Sequence, residues 1–262
     1  MDRRPKLLVL GGSAEATALI ARLAPRVGRD LDLTVSFAGR TKHPTAPAGE
    51  IRVGGFGGAE GLERYLRAER VDVLIDALHP FAGAMPFHAR SACTNAGVAL
   101  LKLQRPPWAP TSGDLWIDVA DMEEATEVVR SLAPRRVLLT IGRQELEPFR
   151  SVLGPRFLVR SIEPPDLAGP WAAIELLDRG PFSLDHEREL LRTEGIDLVV
   201  TKNSGGRATS AKLAAARERQ APVVLVRRPP MPDTPTVPSV DEAVVWLDRQ
   251  LSRLDRPDGS GG

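Results

Sequence analysis

The residues best suited to chemistry stand at the ends of short apolar runs. Leu7–Leu10 leads into Gly11-Gly12-Ser13 and then into a helix opening with Glu15. A buried parallel strand that ends in glycines and feeds a helix leaves main-chain N–H groups aimed at an anion, as nucleotide-binding α/β domains do. The third glycine of G-x-G-x-x-G is missing, because Ala14 and Ala16 stand where it would fall. Alone, the turn therefore specifies an anion but not a dinucleotide.

Other clusters occupy equivalent places. Ala38-Gly39-Arg40-Thr41 follows the second apolar run, 28 positions after Gly12. NAD-specific enzymes usually offer an Asp or Glu there, whereas an Arg beside a hydroxyl accommodates a 2′-phosphate, so Arg40 with Thr41 reads as a 2′-phosphate site. Gly54-Gly55-Phe56-Gly57-Gly58 follows the third run. Such glycine density lets main chain pass close to a ligand, with Phe56 packed on the protein or on a flat ring. Asp76-Ala77-Leu78-His79-Pro80 ends the fourth. His79 is either a donor or general acid near neutral pH, or a residue that caps a helix or carbonyl; Pro80 suits the first turn of a helix.

In the second half, Thr201-Lys202-Asn203-Ser204-Gly205-Gly206 lies between a strand and a helix. Lysine, amide, hydroxyl and glycines together make a turn for carboxylates or amides of a substrate, with the helix start adding N–H groups. Arg143, after another strand, could pair a carboxylate bidentately. No C-x-x-C, H-E-x-x-H, G-x-S-x-G or P-loop pattern occurs, and the histidines are scattered. Metal-dependent, triad and phosphotransfer chemistry are therefore disfavoured.

The elements that must position these residues alternate from end to end, as in a parallel sheet covered on both faces by helices. Strands are expected at Leu7–Leu10, Leu33–Phe37, Ile51–Val53, Val73–Ile75, Leu100–Leu103, Trp116–Val119, Val137–Thr140, Phe157–Ser161, Ala173–Leu177, Leu198–Thr201 and Val223–Val226. Helices are expected between them, including Ala82–Ala96, with a closing helix Asp241–Leu251. The proline-rich RPPWAPTSG at Arg105 marks a hinge, giving domains of residues 1–108 and 109–254 and a disordered tail, 255–262. VDVLIDALHPF at Val71 is echoed by IDLVVTKNSGG at Ile196, and LLKLQRPPW at Leu100 by VVLVRRPPM at Val223. If the halves are related, ligands are expected in a central cleft where their strand ends face each other.

A chain of 262 residues with 42% hydrophobic and 26% charged residues buries an ordinary globular core. The formal charge of +1 argues against a nucleic-acid surface, and no apolar run is long enough for a membrane helix. One cysteine, Cys93, allows no internal disulfide; it reads as a packing residue in a cytoplasmic protein, monomeric or weakly self-associating.

Taken in order, LLVLGGSAEA, AGRT, RVGGFGG, DALHPFA, RPPW, LLTIGRQEL, RGPF and TKNSGG resemble the precorrin-6A reductase family of corrin-ring biosynthesis across nearly the whole chain. The resemblance implies an α/β protein of two Rossmann-like parallel-sheet domains, with NADPH and a tetrapyrrole substrate in the cleft between them. It implies hydride transfer to a carbon–carbon double bond of the macrocycle. Gly11, Gly12 and Ser13 would face the pyrophosphate, Arg40 and Thr41 the 2′-phosphate, and Gly55, Phe56, Gly57, His79 and Pro80 the rest of the dinucleotide, with Glu15, Ala38 and Gly39 also at the cofactor. Lys202, Asn203, Ser204, Gly205 and Arg143 would meet substrate carboxylates, with Arg105 and Arg228 as further candidates. His79 and Lys202 are the side chains placed nearest to catalysis. Ser13 stands where the family often has Thr, and Leu78 where Thr often precedes the His. The alternatives are reduction of the cobalt-containing ring or a non-catalytic nucleotide sensor.

Overall fold

Leu7-Leu8-Val9-Leu10 is apolar at every position because the strand it forms is covered on both faces. In a computed structural model, which describes residues 3–38 and 46–254, this run is β1 (Lys6–Leu10). Leu7 and Val9 join a core with Leu19 and Leu247, while Leu8 and Leu10 join a second core with Leu62 and Ala89. Truncating Leu8 to Ala would cost about 2–5 kcal/mol at so enclosed a site.

The chain continues through α1 (Ala14–Leu23), β2 (Asp32–Phe37), β3 (Glu50–Val53), α2 (Gly58–Ala68), β4 (Val73–Asp76), α3 (Met85–Ala96) and β5 (Ala99–Leu103). Next come β6 (Trp116–Val119), α4 (Met122–Leu132), β7 (Arg136–Thr140), two short 3₁₀ turns, β8 (Arg156–Ser161), β9 (Ala172–Leu177), α5 (Leu184–Thr193), β10 (Leu198–Lys202), α6 (Ala211–Glu218) and β11 (Val223–Val226). The short strand β12 (Thr236–Val237) and α7 (Val240–Leu254) finish the described chain.

Two compact units result. One holds Met1–Arg105 with Pro230–Gly262, the other Pro106–Pro229. The expected division gave residues 230–254 to the second domain, but the chain returns to the first. There β12 pairs with β5 (Thr236 beside Lys102, Val237 beside Leu103), and α7 buries Leu247 and Leu251 in the same core as Leu19. Apolar pattern alone cannot tell which sheet a terminal helix covers.

The first sheet runs β12-β5-β4-β1-β2-β3 and the second β6-β11-β10-β7-β8-β9, all parallel. Each is a Rossmann-like sheet with the order 3-2-1-4-5-6 read from its outer edge. The two sequence echoes fall on equivalent strands, β4 with β10 and β5 with β11. Only the sixth strand differs in origin: β12 follows its own sheet along the chain, while β6 precedes its own.

Most expected elements lie within two residues of their observed bounds. Helix α3 is an exception, starting at Met85 rather than Ala82. Pro80 therefore lies in the turn before it, and Pro86 takes the first helical turn, where a missing N–H costs nothing. Cys93 sits on the buried face of α3, and burial pushes its thiol up to about 12. Among the described residues, no helix is long and apolar enough to cross a membrane.

Candidate functional site

In an open parallel sheet the strand order reverses at one point, and the loops at the strand C-termini part there to leave a crevice. In the first unit this point lies between β1 and β4, which brings Gly11–Ser13 beside Ala77–His79. Ser13 ties the two loops together: its hydroxyl donates to the Ala77 carbonyl (2.7 Å) and accepts from the Ala16 N–H (3.0 Å) as the N-cap of α1. The Gly11 N–H is spent on the Ser36 carbonyl (2.9 Å). Ala14 and Glu15, in the first helical turn, have N–H groups with no intrahelical acceptor. Gly12 has φ +122, and a Cβ built on it would meet nothing within 4 Å, so the main chain lies bare to an approaching group. Glu15 forms an ion pair with Arg105, which thereby serves α1 rather than standing alone as a cation.

Neighbouring strands carry the remaining nucleotide candidates to the same sheet edge. Ala38 follows β2; Gly39, Arg40 and Thr41 lie outside the described residues. The loop after β3 is tied to β2 by the Gly54 N–H on the Phe37 carbonyl (2.9 Å). Arg52 donates to the carbonyls of Gly54 (2.6 Å) and Gly55 (2.8 Å) and lies over the Phe56 ring, 3.8 Å from its centre. Tyr65 meets the same ring edge-on at 5.1 Å. Phe56 thus packs on the protein, and Gly57 supplies the N-cap of α2.

His79 Nδ1 accepts the Phe81 N–H (3.2 Å), which puts the ring proton on Nε2 and makes that nitrogen a donor. Beneath it lies a pair with no role in the sequence reading. Asp76, at the end of β4, is buried 3.5 Å from the Lys102 ammonium and accepts the Leu78 N–H (3.0 Å). Burial pushes its carboxyl upward, with Lys102 pulling it back. The pair fixes the turn that carries His79. An acid closing an otherwise apolar strand was the available signal.

The equivalent point in the second unit lies between β7 and β10, and it gathers Arg143 with Lys202–Gly205. Lys202 Nζ meets Glu145 Oε1 at 3.1 Å, and Arg143 pairs with Glu163 at 2.8 Å, so each cation already has a carboxylate of its own. Asn203 spends its side-chain amide on Trp108, accepting its N–H (2.7 Å) and donating to its carbonyl (3.2 Å). Arg228 donates to the carbonyls of Asn203 (2.9 Å) and Ser204 (3.1 Å). Gly205 has φ +69, and a Cβ there would lie 2.0 Å from the Pro106 carbonyl oxygen, so only glycine fits. The helix expected after the turn, Ser210–Arg219, is α6, which begins at Ala211 with Ser210 as its N-cap.

Residues 6–248 match the family model described as precorrin-6x reductase CbiJ/CobK. A Rhodococcus erythropolis protein named precorrin-6A reductase is 45% identical over 243 residues, spanning 92% of this chain and 97% of its own. A Mycobacterium tuberculosis protein of that name is 43% identical over 244 residues, 92% and 97% of the two chains. A Salmonella typhimurium protein named cobalt-precorrin-6A reductase is 27% identical over 245 residues, covering 85% and 87%. A solved structure described as CobK precorrin-6A reductase superimposes with a TM-score of 0.86 at 40% identity, covering 94% of this chain and 97% of that one. With its two Rossmann-like sheets and a match along nearly its full length, the chain belongs to the CbiJ/CobK precorrin-6x reductase family.

Proposed function

We propose that the chain is an NADPH-dependent precorrin-6A reductase, which adds hydride to a carbon–carbon double bond of the macrocycle and yields precorrin-6B in corrin-ring biosynthesis. The bare main chain at Gly12, beside the N-terminus of α1 at the point where the first sheet reverses order, carries this reading. It fits a dinucleotide pyrophosphate, because a side chain at this point would fill the space that the phosphates need. Higher identity to relatives named for the cobalt-free substrate favours that ring over the cobalt-containing one.

Bound in this crevice, reduced nicotinamide supplies the hydride. The N–H groups of Gly12, Ala14 and Glu15 neutralise phosphate oxygens, while Arg40 and Thr41 take the 2′-phosphate. The Arg105 partner of Glu15 offsets the carboxylate that would otherwise repel the phosphates. His79 offers its Nε2 proton to the nucleotide or substrate. Lys202, Ser204 and Gly205 receive substrate carboxylates on the second unit. An extended conjugated ring spreads the charge that hydride addition redistributes, so the protein acts mainly by orienting the reactants.

The test is to mix the purified protein with NADPH and precorrin-6A and follow loss of nicotinamide absorbance. Oxidation is expected only when the tetrapyrrole is present. Tight nucleotide binding without turnover would favour the sensor reading instead.

A further inference from the structure

Three ionisable side chains from separate elements of the second unit are buried near one another. They are Arg160 near the end of β8, Glu187 in the first turn of α5 and Lys212 in the first turn of α6. Arg160 and Glu187 lie 2.9 Å apart with side chains 5% and 0% exposed, and Lys212 is 3% exposed. Two cations share one carboxylate, and the hydrogen bonding is incomplete: Arg160 Nη2 meets Glu187 Oε1 as an ion pair without hydrogen-bond geometry, and Arg160 Nη1 and Glu187 Oε2 make no hydrogen bond. Such clusters are poor sources of stability, since apolar residues of similar volume often serve as well or better. Burial and the facing Arg160 charge pull Lys212 down to about 7, against the opposing effect of Glu187. Nothing in the proposed chemistry uses this costly arrangement.

What the cations touch gives it a use. The Arg160 guanidinium lies 4.1 Å from the centre of the Phe182 ring, and the Lys212 ammonium lies 5.0 Å from that of Trp108. Both aromatic residues and Lys212 itself hold the loop that follows the Lys202–Gly205 turn. Trp108 Nε1 donates to the Gly206 carbonyl (2.8 Å), the Phe182 N–H to that of Ala208 (3.3 Å), and Lys212 Nζ to that of Thr209 (2.7 Å). Two loops and α6 thus grip three carbonyls within four residues, and the buried charges back two of the grips. We infer that Lys212, Glu187 and Arg160 are positioning residues that hold the 203–209 loop in the shape that receives the substrate carboxylates. This rests on the substrate role proposed above for the Lys202–Gly205 turn.

Lys212→Met is the discriminating variant. It removes the ammonium, keeps an unbranched side chain one atom shorter and leaves Arg160 and Glu187 as a balanced pair, so the fold is retained. Amide hydrogen exchange over residues 204–210 is expected to quicken about tenfold, with the strands of the second sheet unchanged. The KM for precorrin-6A is expected to rise about tenfold while kcat and the KM for NADPH stay within about twofold of the parent. Lys212→Gln, which keeps a donor toward Thr209 without the charge, is expected to fall between the two, and it decides the matter if the Met variant does not fold. Unchanged exchange overturns the clamp. Faster exchange with an unchanged KM for precorrin-6A overturns its link to substrate. Absence of precorrin-6A-dependent oxidation by the parent protein counts against the proposed activity, whereas the exchange measurement still decides the clamp.

Discussion

The side chain of Asn203 and the main chain of Trp108 are joined like two residues of a β-bridge, with one hydrogen bond in each direction. The same turn is held from its other side by Arg228. Chain enters the second unit at Pro106 and leaves it at Pro229, so one turn grips the segments beside both crossings. The Asn203 amide, proposed from sequence to face substrate, is bonded to Trp108 within the turn that carries Lys202 and Ser204.

Asn203→Asp keeps the acceptor for the Trp108 N–H but loses the donor and sets a carboxylate against the Trp108 carbonyl. A loss of about 1–3 kcal/mol is expected from an unsatisfied group in this part-buried bridge. Thermal unfolding should show it as a lower transition temperature. The Kd for NADPH, measured by calorimetry, should stay unchanged, because the proposed nucleotide residues belong to the other unit.

Gly61 lies inside α2, where alanine ordinarily stabilises a helix by about 1 kcal/mol. Here a Cβ would fall 1.7 Å from the Phe56 carbonyl oxygen, which folds back over the helix. Gly61→Ala is therefore expected to destabilise by about 1–3 kcal/mol, as overpacking does. Denaturant unfolding that showed a more stable variant would contradict this close approach.

The Lys212 ammonium faces Arg160, Glu187, the Trp108 ring and the Thr209 carbonyl, and it titrates near 7 when folded, well below the ordinary lysine value of 10.5. Between those values the unfolded chain binds the extra proton, so this group makes stability rise with pH. Below about 7 both states are protonated and the burial cost is fully present. Lys212→Met should accordingly gain most over the parent at pH 6, with the gain shrinking by pH 9. A difference in transition temperature that grew with pH would reverse the assignment.

Arg40 is expected to hold the 2′-phosphate that distinguishes NADPH from NADH. Arg40→Ala should weaken NADPH by about 1.5–3 kcal/mol, roughly 10- to 150-fold, and leave NADH almost unaffected. Equal affinity of the parent protein for both nucleotides would remove the basis for this reading.

Fold and site were unequally legible. Runs such as Leu7–Leu10 and Val223–Val226 declare buried parallel strands because both faces must be apolar, and their bounds follow closely. The two-residue β12 leaves no periodic trace, and its partner is set by tertiary contact. The glycine turns and the Thr201–Gly206 turn with its lysine are visible in sequence as types; how they are bonded is not. Asn203 stands out in sequence as an amide in a glycine turn, but sequence cannot show that Trp108 bonds to that amide. The Arg160 cluster is scattered over 53 positions, from 160 to 212. Its signals were an arginine inside the apolar run Phe157–Ser161 and a lysine in register with the buried Leu213, Ala215 and Ala216 of α6.

The return of the chain to its first sheet sets an order of events during synthesis. Lys102 in β5 must wait for Thr236, 134 residues later, before its strand gains a neighbour on the outer side. The whole second unit, a continuous segment, emerges from the ribosome within that wait and can form its own sheet first. The loop that β12 closes is then spanned by folded protein rather than by flexible chain, which lowers the entropy lost when the final strand and α7 dock. Strand β5 is thus completed only after the second unit has been made, so a truncation before Thr236 should leave an open strand edge on β5, prone to pairing with another chain.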